Sequence, residues 1–196
     1  YVRSGRSERR STLRPVDEGW ARVRWGLQED DIFEPLALVR KYSELTLTDA
    51  RSKMVSDLRR RLRDFLKADP TSPAATWPDA SDARITVIIP VWNQAHATLH
   101  CLRALHAASA DLPVRVHVVD NGSMDETPAV LSRFPDIRVT RWEENRGYGA
   151  AVNHAAAASA TKILLLLNND AFVEPDAIRN ALRVLDEEPQ TGAVCG

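Results

Sequence analysis

Asn168, Asn169 and Asp170 follow directly on an unbroken apolar run, residues 163–167, in a chain of 196 residues. A short continuous run of this kind reads as a strand buried on both faces. Its carboxyl end then presents two amides and one carboxylate at the edge where open parallel α/β sheets bind their ligands. A carboxylate flanked by neutral hydrogen-bonding groups suits a divalent cation that bridges to a phosphorylated ligand.

Three earlier segments end in polar clusters of their own. The first is Pro90-Val91-Trp92-Asn93. Proline cannot donate in a ladder, so the strand is expected to stop or become an edge there, and Asn93 either caps the next helix or faces a ligand. The second is Asp120-Asn121-Gly122-Ser123-Met124-Asp125-Glu126-Thr127. Asp120 stands at the last strand position, where it either meets the polar edge of a pyrimidine base or tightens the turn. Asn121 offers both a donor and an acceptor. Gly122 permits positive φ, and Asp125 or Thr127 is expected to cap the helix that follows. The third is Asn145-Arg146-Gly147-Tyr148-Gly149, leading to Asn153. Two glycines ahead of a helix let backbone N–H groups approach an anion. Gly147-x-Gly149 is not a dinucleotide fingerprint, because it follows the third strand and Val152 stands where a third small residue belongs.

The elements that position these clusters alternate. Strands are expected over 85–89, 114–119, 137–142 and 163–167, with a fifth beginning at 193–195. Helices are expected over 98–108, 128–134, 149–160 and 175–185. Strict alternation implies right-handed crossovers and a parallel sheet. Upstream, residues 1–19 are polar and lack periodicity, and 20–27 alternates weakly as a short strand would. A helix is expected over 32–45, with Asp30 or Asp31 as its cap. Another carries the stripe Val55, Leu58, Leu62, Phe65 and Leu66, opens at Thr48 and ends at Asp69-Pro70. The Pro-rich stretch 69–83 has linker composition. The expected organisation is a helical region over 1–68, a linker over 69–83 and an α/β domain over 84–196.

Lys and Arg number 26 against 27 Asp and Glu, for a net charge of −1. No basic excess of the kind a nucleic-acid binder carries is present. The two cysteines, Cys101 and Cys195, make neither a disulfide framework nor a metal cluster. A reducing, cytoplasmic compartment is the simpler reading. No apolar run is long enough to cross a bilayer. The chain opens on Tyr1, polar and Arg-rich, and closes in a strand-like Thr-Gly-Ala-Val-Cys-Gly, so a piece of a longer polypeptide is expected.

Taken together and in this order, the four segments resemble the nucleotide-sugar-binding half of the family-2 glycosyltransferases, which have the GT-A fold, Rossmann-like with a mainly parallel sheet. The likeness covers about residues 84–196. The Asn-Asn-Asp form is similar to that of transferases building bacterial surface polysaccharides, rhamnosyltransferases among them. The resemblance implies that Asp170 holds Mg2+ or Mn2+ on the donor diphosphate, that Asn168, standing where the motif usually has its first acid, contacts the ribose, and that Asn169 belongs to the donor-binding residues. It implies that Asp120 and Asn121, with Gly122 and Ser123, read the base, and that residues 90–93 (Pro90, Val91 and Asn93 among them) line its pocket. Gly147, Tyr148 and Asn153 fall near the sugar and phosphates. The implied donor is a UDP- or dTDP-linked sugar, and the acceptor a glycan or lipid-linked hydroxyl at or near the inner face of the membrane. In this family the catalytic base lies downstream of the metal motif, so the chain is expected to bind donor but to transfer little by itself.

Two other classes stay open. A non-catalytic nucleotide-sugar-binding or scaffolding module is compatible with Asn168. A nicotinamide-dependent oxidoreductase is disfavoured by the missing glycine fingerprint after Ile89. His96 and His100, four apart on one helix, are expected on a solvated face, as is the run Arg59-Arg60-Arg61-Leu62-Arg63.

Overall fold

The computed structural model describes residues 46–69 and 71–195, with side chains from Ser52 onward. The strand expected over 20–27 and the helix over 32–45 lie outside the described residues. Contacts divide the chain between Met54 and Val55, and the account below concerns the second unit.

Four strands form one parallel sheet in the order β3-β2-β1-β4: β1 Ile85–Val91, β2 Val114–Asp120, β3 Arg138–Arg141 and β4 Ile163–Leu166. The helices are α1 Thr46–Lys67, α2 Ala95–Ala108, α3 Thr127–Leu131, α4 Tyr148–Ala157 and α5 Ala177–Glu187. This is the expected α/β fold. The chain steps from β1 outward to β2 and β3, then returns to β4 on the other side of β1, so strand order reverses at the β1/β4 boundary. Ligand crevices of open α/β sheets lie beyond the carboxyl ends of the strands at such a reversal.

Alternation along the strands splits the core. Val87, Ile89 and Val91 of β1 pack with Leu99, Leu102 and Leu105 of α2, Val130 of α3 and Ile178 of α5. Ile88 and Val119 point the other way, onto Ala151 and Ala155 of α4. Two alanines four residues apart give that helix a flat face that can approach the sheet closely.

At Pro90 the second of the two expected outcomes holds: β1 runs on to Val91, and its side towards β4 is an edge there. The amide of Leu167 bonds the Ile88 carbonyl, so Ile88, and by the period of two Pro90, face β4. Pairing with β4 has stopped by Ile88↔Leu166, and the missing N–H of Pro90 leaves no ladder bond unmade. β4 is not buried on both faces. Leu164 and Leu166 are 40% and 49% exposed, and β4 is one of the two edge strands of the sheet among the described residues. Residues 191–195 form no strand. Thr48 lies inside α1 rather than at its start.

Within the stretch 69–83, of linker composition, Trp77 is buried in the main core, with Ala74 and Ala75 packed against it. Arg133 bonds the start of this stretch. Its Nη1 donates to the Phe65 carbonyl at 2.7 Å, its Nε and Nη2 donate to the Ser72 carbonyl, and its guanidinium lies 4.1 Å over the Phe65 ring. One buried cation thus ties the end of α1 and the following turn to the loop after α3.

Candidate functional site at the carboxyl edge of the sheet

The carboxyl ends of β1 and β2 are in register, with Val91 opposite Asp120. Asp120 is 1% exposed. Its Oδ1 accepts the Ser123 amide at 2.9 Å, and its Oδ2 lies 3.3 Å from Nη1 of Arg141, the residue opposite it on β3. Arg141 also donates to the Ser123 carbonyl. The carboxylate therefore tightens the turn, and the acidic group stands behind a half-exposed guanidinium.

Asn121 is engaged at both ends of its carboxamide. Oδ1 accepts the Arg146 amide at 2.8 Å and Nδ2 donates to Asn145 Oδ1 at 2.9 Å. Asn145 Oδ1 also accepts the Gly147 amide. An ionised Asp at 121 could not donate to Asn145. The guanidinium of Arg146 lies 5.0 Å over the Trp142 ring. Gly122, at φ +80, abuts the loop from β3: a Cβ there would lie 2.8 Å from the Glu144 carbonyl carbon. Gly147 also takes positive φ, and a Cβ on Gly147 or Gly149 meets nothing within 4 Å. Tyr148 and Asn153 are exposed.

Asn93 caps no helix. The position before α2 is Gln94, which makes no side-chain cap bond. Instead the Asn93 amide donates to Ser123 Oγ, and its Oδ1 accepts the Met124 amide, both at 2.8 Å. These two bonds lock the β1 and β2 loops together, and both Asn93 and Gln94 adopt positive φ. Asp125 serves two helices, accepting the Ala95 amide at the start of α2 and the Thr127 amide at the start of α3. Burial pushes its carboxyl up, but the hydrogen bonds it accepts outweigh burial and hold it below the usual carboxylate range.

The Asn168-Asn169-Asp170 segment joins the same edge. Asn169 turns inward, its Nδ2 donating to Thr98 Oγ1 at 3.1 Å and to the Asn93 carbonyl at 3.4 Å. The Cys101 thiol donates to the Asn168 carbonyl at 3.6 Å. Burial, with the nearby Asp170 charge, pushes that thiol up to about 12, so it remains a donor at neutral pH. Asn168 and Asp170 face outward. Phe172 packs edge-on against His100 at 4.3 Å.

The donor chemistry can be tested against a cation. Among the described residues no group of three or more His, Cys, Asp or Glu could hold a metal by itself. One exposed carboxylate beside an exposed amide fits a hard cation that takes its remaining ligands from phosphate oxygens and water. It does not fit a structural zinc site, which needs four protein ligands.

Two cavities lie elsewhere. One of about 400 Å³ sits at the opposite edge of the sheet, between Trp77, Thr86, His117 and Arg138. The other runs along β4 and α5. Neither is lined by Asp120, Asn121 or Asp170.

Sequence reasoning brought Asp120, Asn121, Asn93 and Asp170 to one edge, and the structure places them there. It missed Arg141, Thr98 and Cys101. The last two were detectable, since Thr98, Cys101, Leu102 and Leu105 follow the helical spacing of a buried face with two polar positions.

A parallel α/β sheet with polar clusters gathered at its carboxyl edge, beside a reversal of strand order, is the arrangement at which open α/β proteins as a class bind ligands. Comparison with known proteins names the family: "Glycosyl transferase family 2" matches residues 86–196, and the chain belongs to it. It is 32% identical over 106 residues to the succinoglycan biosynthesis protein ExoO of Rhizobium meliloti (strain 1021), covering 52% of this chain and 30% of that protein. It is 44% identical over 98 residues to N-acetylglucosaminyl-diphospho-decaprenol L-rhamnosyltransferase of Mycobacterium tuberculosis (strain ATCC 25618 / H37Rv), covering 44% of this chain and 32% of that protein. Among solved structures, S. aureus TarS 1-349 in complex with UDP overlays with a TM-score of 0.49 at 24% identity, over 54% of this chain and 33% of that one. The chain thus spans about a third of the length of these curated relatives. Among the described residues no helix is long and apolar enough to cross a membrane.

Proposed function

We propose that this chain is the donor-binding part of an inverting glycosyltransferase. It takes a UDP- or dTDP-linked sugar and delivers a hexosyl or rhamnosyl group to a hydroxyl of a glycan or lipid-linked acceptor, in the synthesis of a surface polysaccharide. The observation that carries this reading is the meeting of the first, second and fourth motifs through Asn93, whose amide, side chain and carbonyl bond Ser123, Met124 and Asn169. Family membership and the named roles of the two relatives support it.

Asp170, with Asn168 beside it, would hold Mg2+ or Mn2+. When bound, the cation offsets the charge that develops on the departing nucleoside diphosphate. The residues of the chain orient the donor. Those at 90–93 line the base pocket, Asn121–Ser123 close it, and Gly147, Tyr148 and Asn153 flank the sugar and phosphates. A general base on the acceptor side removes the proton of the attacking hydroxyl. None of the residues named above takes that role, and the chain alone is expected to bind donor with little transfer.

Titration calorimetry with UDP, dTDP, GDP and NAD, with and without Mn2+, tests the reading. Metal-dependent binding of a pyrimidine diphosphate is expected, and Asp170→Ala is expected to weaken it at least about tenfold, the loss of one charge-assisted ligand. Tight NAD binding indifferent to Mn2+ would overturn it.

A second reading, a nucleotide-sugar-binding module without transfer, is favoured by Asn168, which supplies no charge where the family motif has an acid. Donor binding by the full-length protein without transfer to any acceptor would select it.

A further inference from the structure

Thr98 and Cys101 sit one turn apart on α2, both fully buried. Their neighbours on the same face are Leu99, Leu102 and Leu105. A polar atom in such a face is costly unless it is bonded, and both bond the same short segment. Thr98 Oγ1 accepts Asn169 Nδ2, and Cys101 Sγ donates to the Asn168 carbonyl.

That segment has few other supports. Its last ladder bond is from the Leu167 amide to Ile88, and beyond it the Ala171 amide returns to the Asn168 carbonyl in a turn. The Asn169 Nδ2 group thus turns inward. It is a tether, with one donor group shared between Thr98 and the Asn93 carbonyl. Because Asn93 also grips Ser123 and Met124, the tether joins the segment bearing Asp170 to the loop bearing Asp120 and Asn121.

We propose that Thr98 and Cys101 are positioning residues that latch residues 168–170 to the Asn93 loop and so fix where Asp170 stands relative to the base-side motif. The role of Asp170 rests on the donor-site reading above; the latch itself does not.

The variants are Thr98→Val, which keeps shape and removes the acceptor, and Thr98→Ser, which restores it, both in the full 196-residue chain. Two readouts separate the latch from its consequence. The first is hydrogen–deuterium exchange of the peptide spanning residues 166–172, without metal or nucleotide. Thr98→Val is expected to raise exchange there about five- to tenfold, the loss of roughly one net hydrogen bond, with Thr98→Ser near wild type. The second is Mn2+ affinity in the presence of UDP, followed by electron paramagnetic resonance. It is expected to fall about five- to tenfold in Thr98→Val and to recover in Thr98→Ser, while metal-free UDP affinity changes less than about twofold.

Unchanged exchange in Thr98→Val overturns the latch. Parallel loss of metal-dependent and metal-free UDP binding, or no rescue by serine, overturns its positioning role. Should wild type show the latch by exchange but no Mn2+-dependent UDP binding, the role given to Asp170 fails and the latch stands.

Discussion

Asp120 and Asn121 have little left to offer a ligand as the chain stands. The carboxylate holds its own turn and Arg141, and the carboxamide holds the loop from β3. A base that meets Asp120 must therefore share it with Arg141 or displace that guanidinium. The glycine that follows shows how tightly the two loops meet. Any L-residue at 122 faces both the positive φ and a Cβ within 3 Å of the Glu144 backbone, which cannot swing aside as a side chain tip can. Left-handed backbone alone costs a non-glycine residue about 1–2 kcal/mol. Gly122→Ala is expected to lose about 2–4 kcal/mol in urea unfolding, with the clash adding to the strain; a loss below about 1 kcal/mol would show that the loops separate easily. The need for glycine at 122 was legible from the Asn-Gly pair itself, because turn chemistry is local. The tasks of Asn93, Arg141 and Asn169 were not, since each depends on a partner from another element.

At the scale of elements, periodicity located α2, α4, α5 and all four strands to within a few residues, because burial imposes its period on the residues that pack. It failed where composition and packing part company. Apolar content alone cannot tell β4, an edge strand with exposed Leu164 and Leu166, from a central strand. Proline and serine made 69–83 read as a linker, although Trp77 anchors it in the core. Nothing in the local sequence of Arg133 announces that it closes this junction. Its guanidinium satisfies two carbonyls and covers Phe65, and among the described residues no carboxylate bonds it. Arg133→Met keeps much of the apolar stem but takes both Arg133 donors from the Ser72 carbonyl and leaves the Phe65 carbonyl only the Ala68 amide. A loss of about 2–4 kcal/mol in urea unfolding is expected. Limited proteolysis should cut first between α1 and Trp77. Wild-type stability in this variant would mean that water replaces the guanidinium at no cost.

For the molecule as a whole, near-neutral net charge leaves its response to pH to a few displaced groups, three histidines among them. His117 on β2 is buried, with its Nε2 2.9 Å from Thr140 Oγ1 and the His154 ring 6.1 Å away. Burial first, then the charges of Arg138 and His154, push it down to about 4. His96 and His100 are lowered as well, again by burial first. A histidine in an unfolded chain titrates near about 6.5. Between these values the unfolded chain binds more protons than the folded one, so stability rises with pH across the window. The His117 contribution is present in full above about 6.5 and is lost as pH falls towards 4. Asp125, held below the usual carboxylate range, acts in the same sense, but only as pH falls below that range. Thermal melts from about pH 7 down to about pH 4.5 should therefore show a falling Tm. His117→Gln keeps a polar group near Thr140 but cannot titrate, and its Tm should fall less steeply over that interval. Parallel curves for the two proteins would remove His117 as the source and leave the slope to His96 and His100, whose substitution by Gln would then have to flatten it.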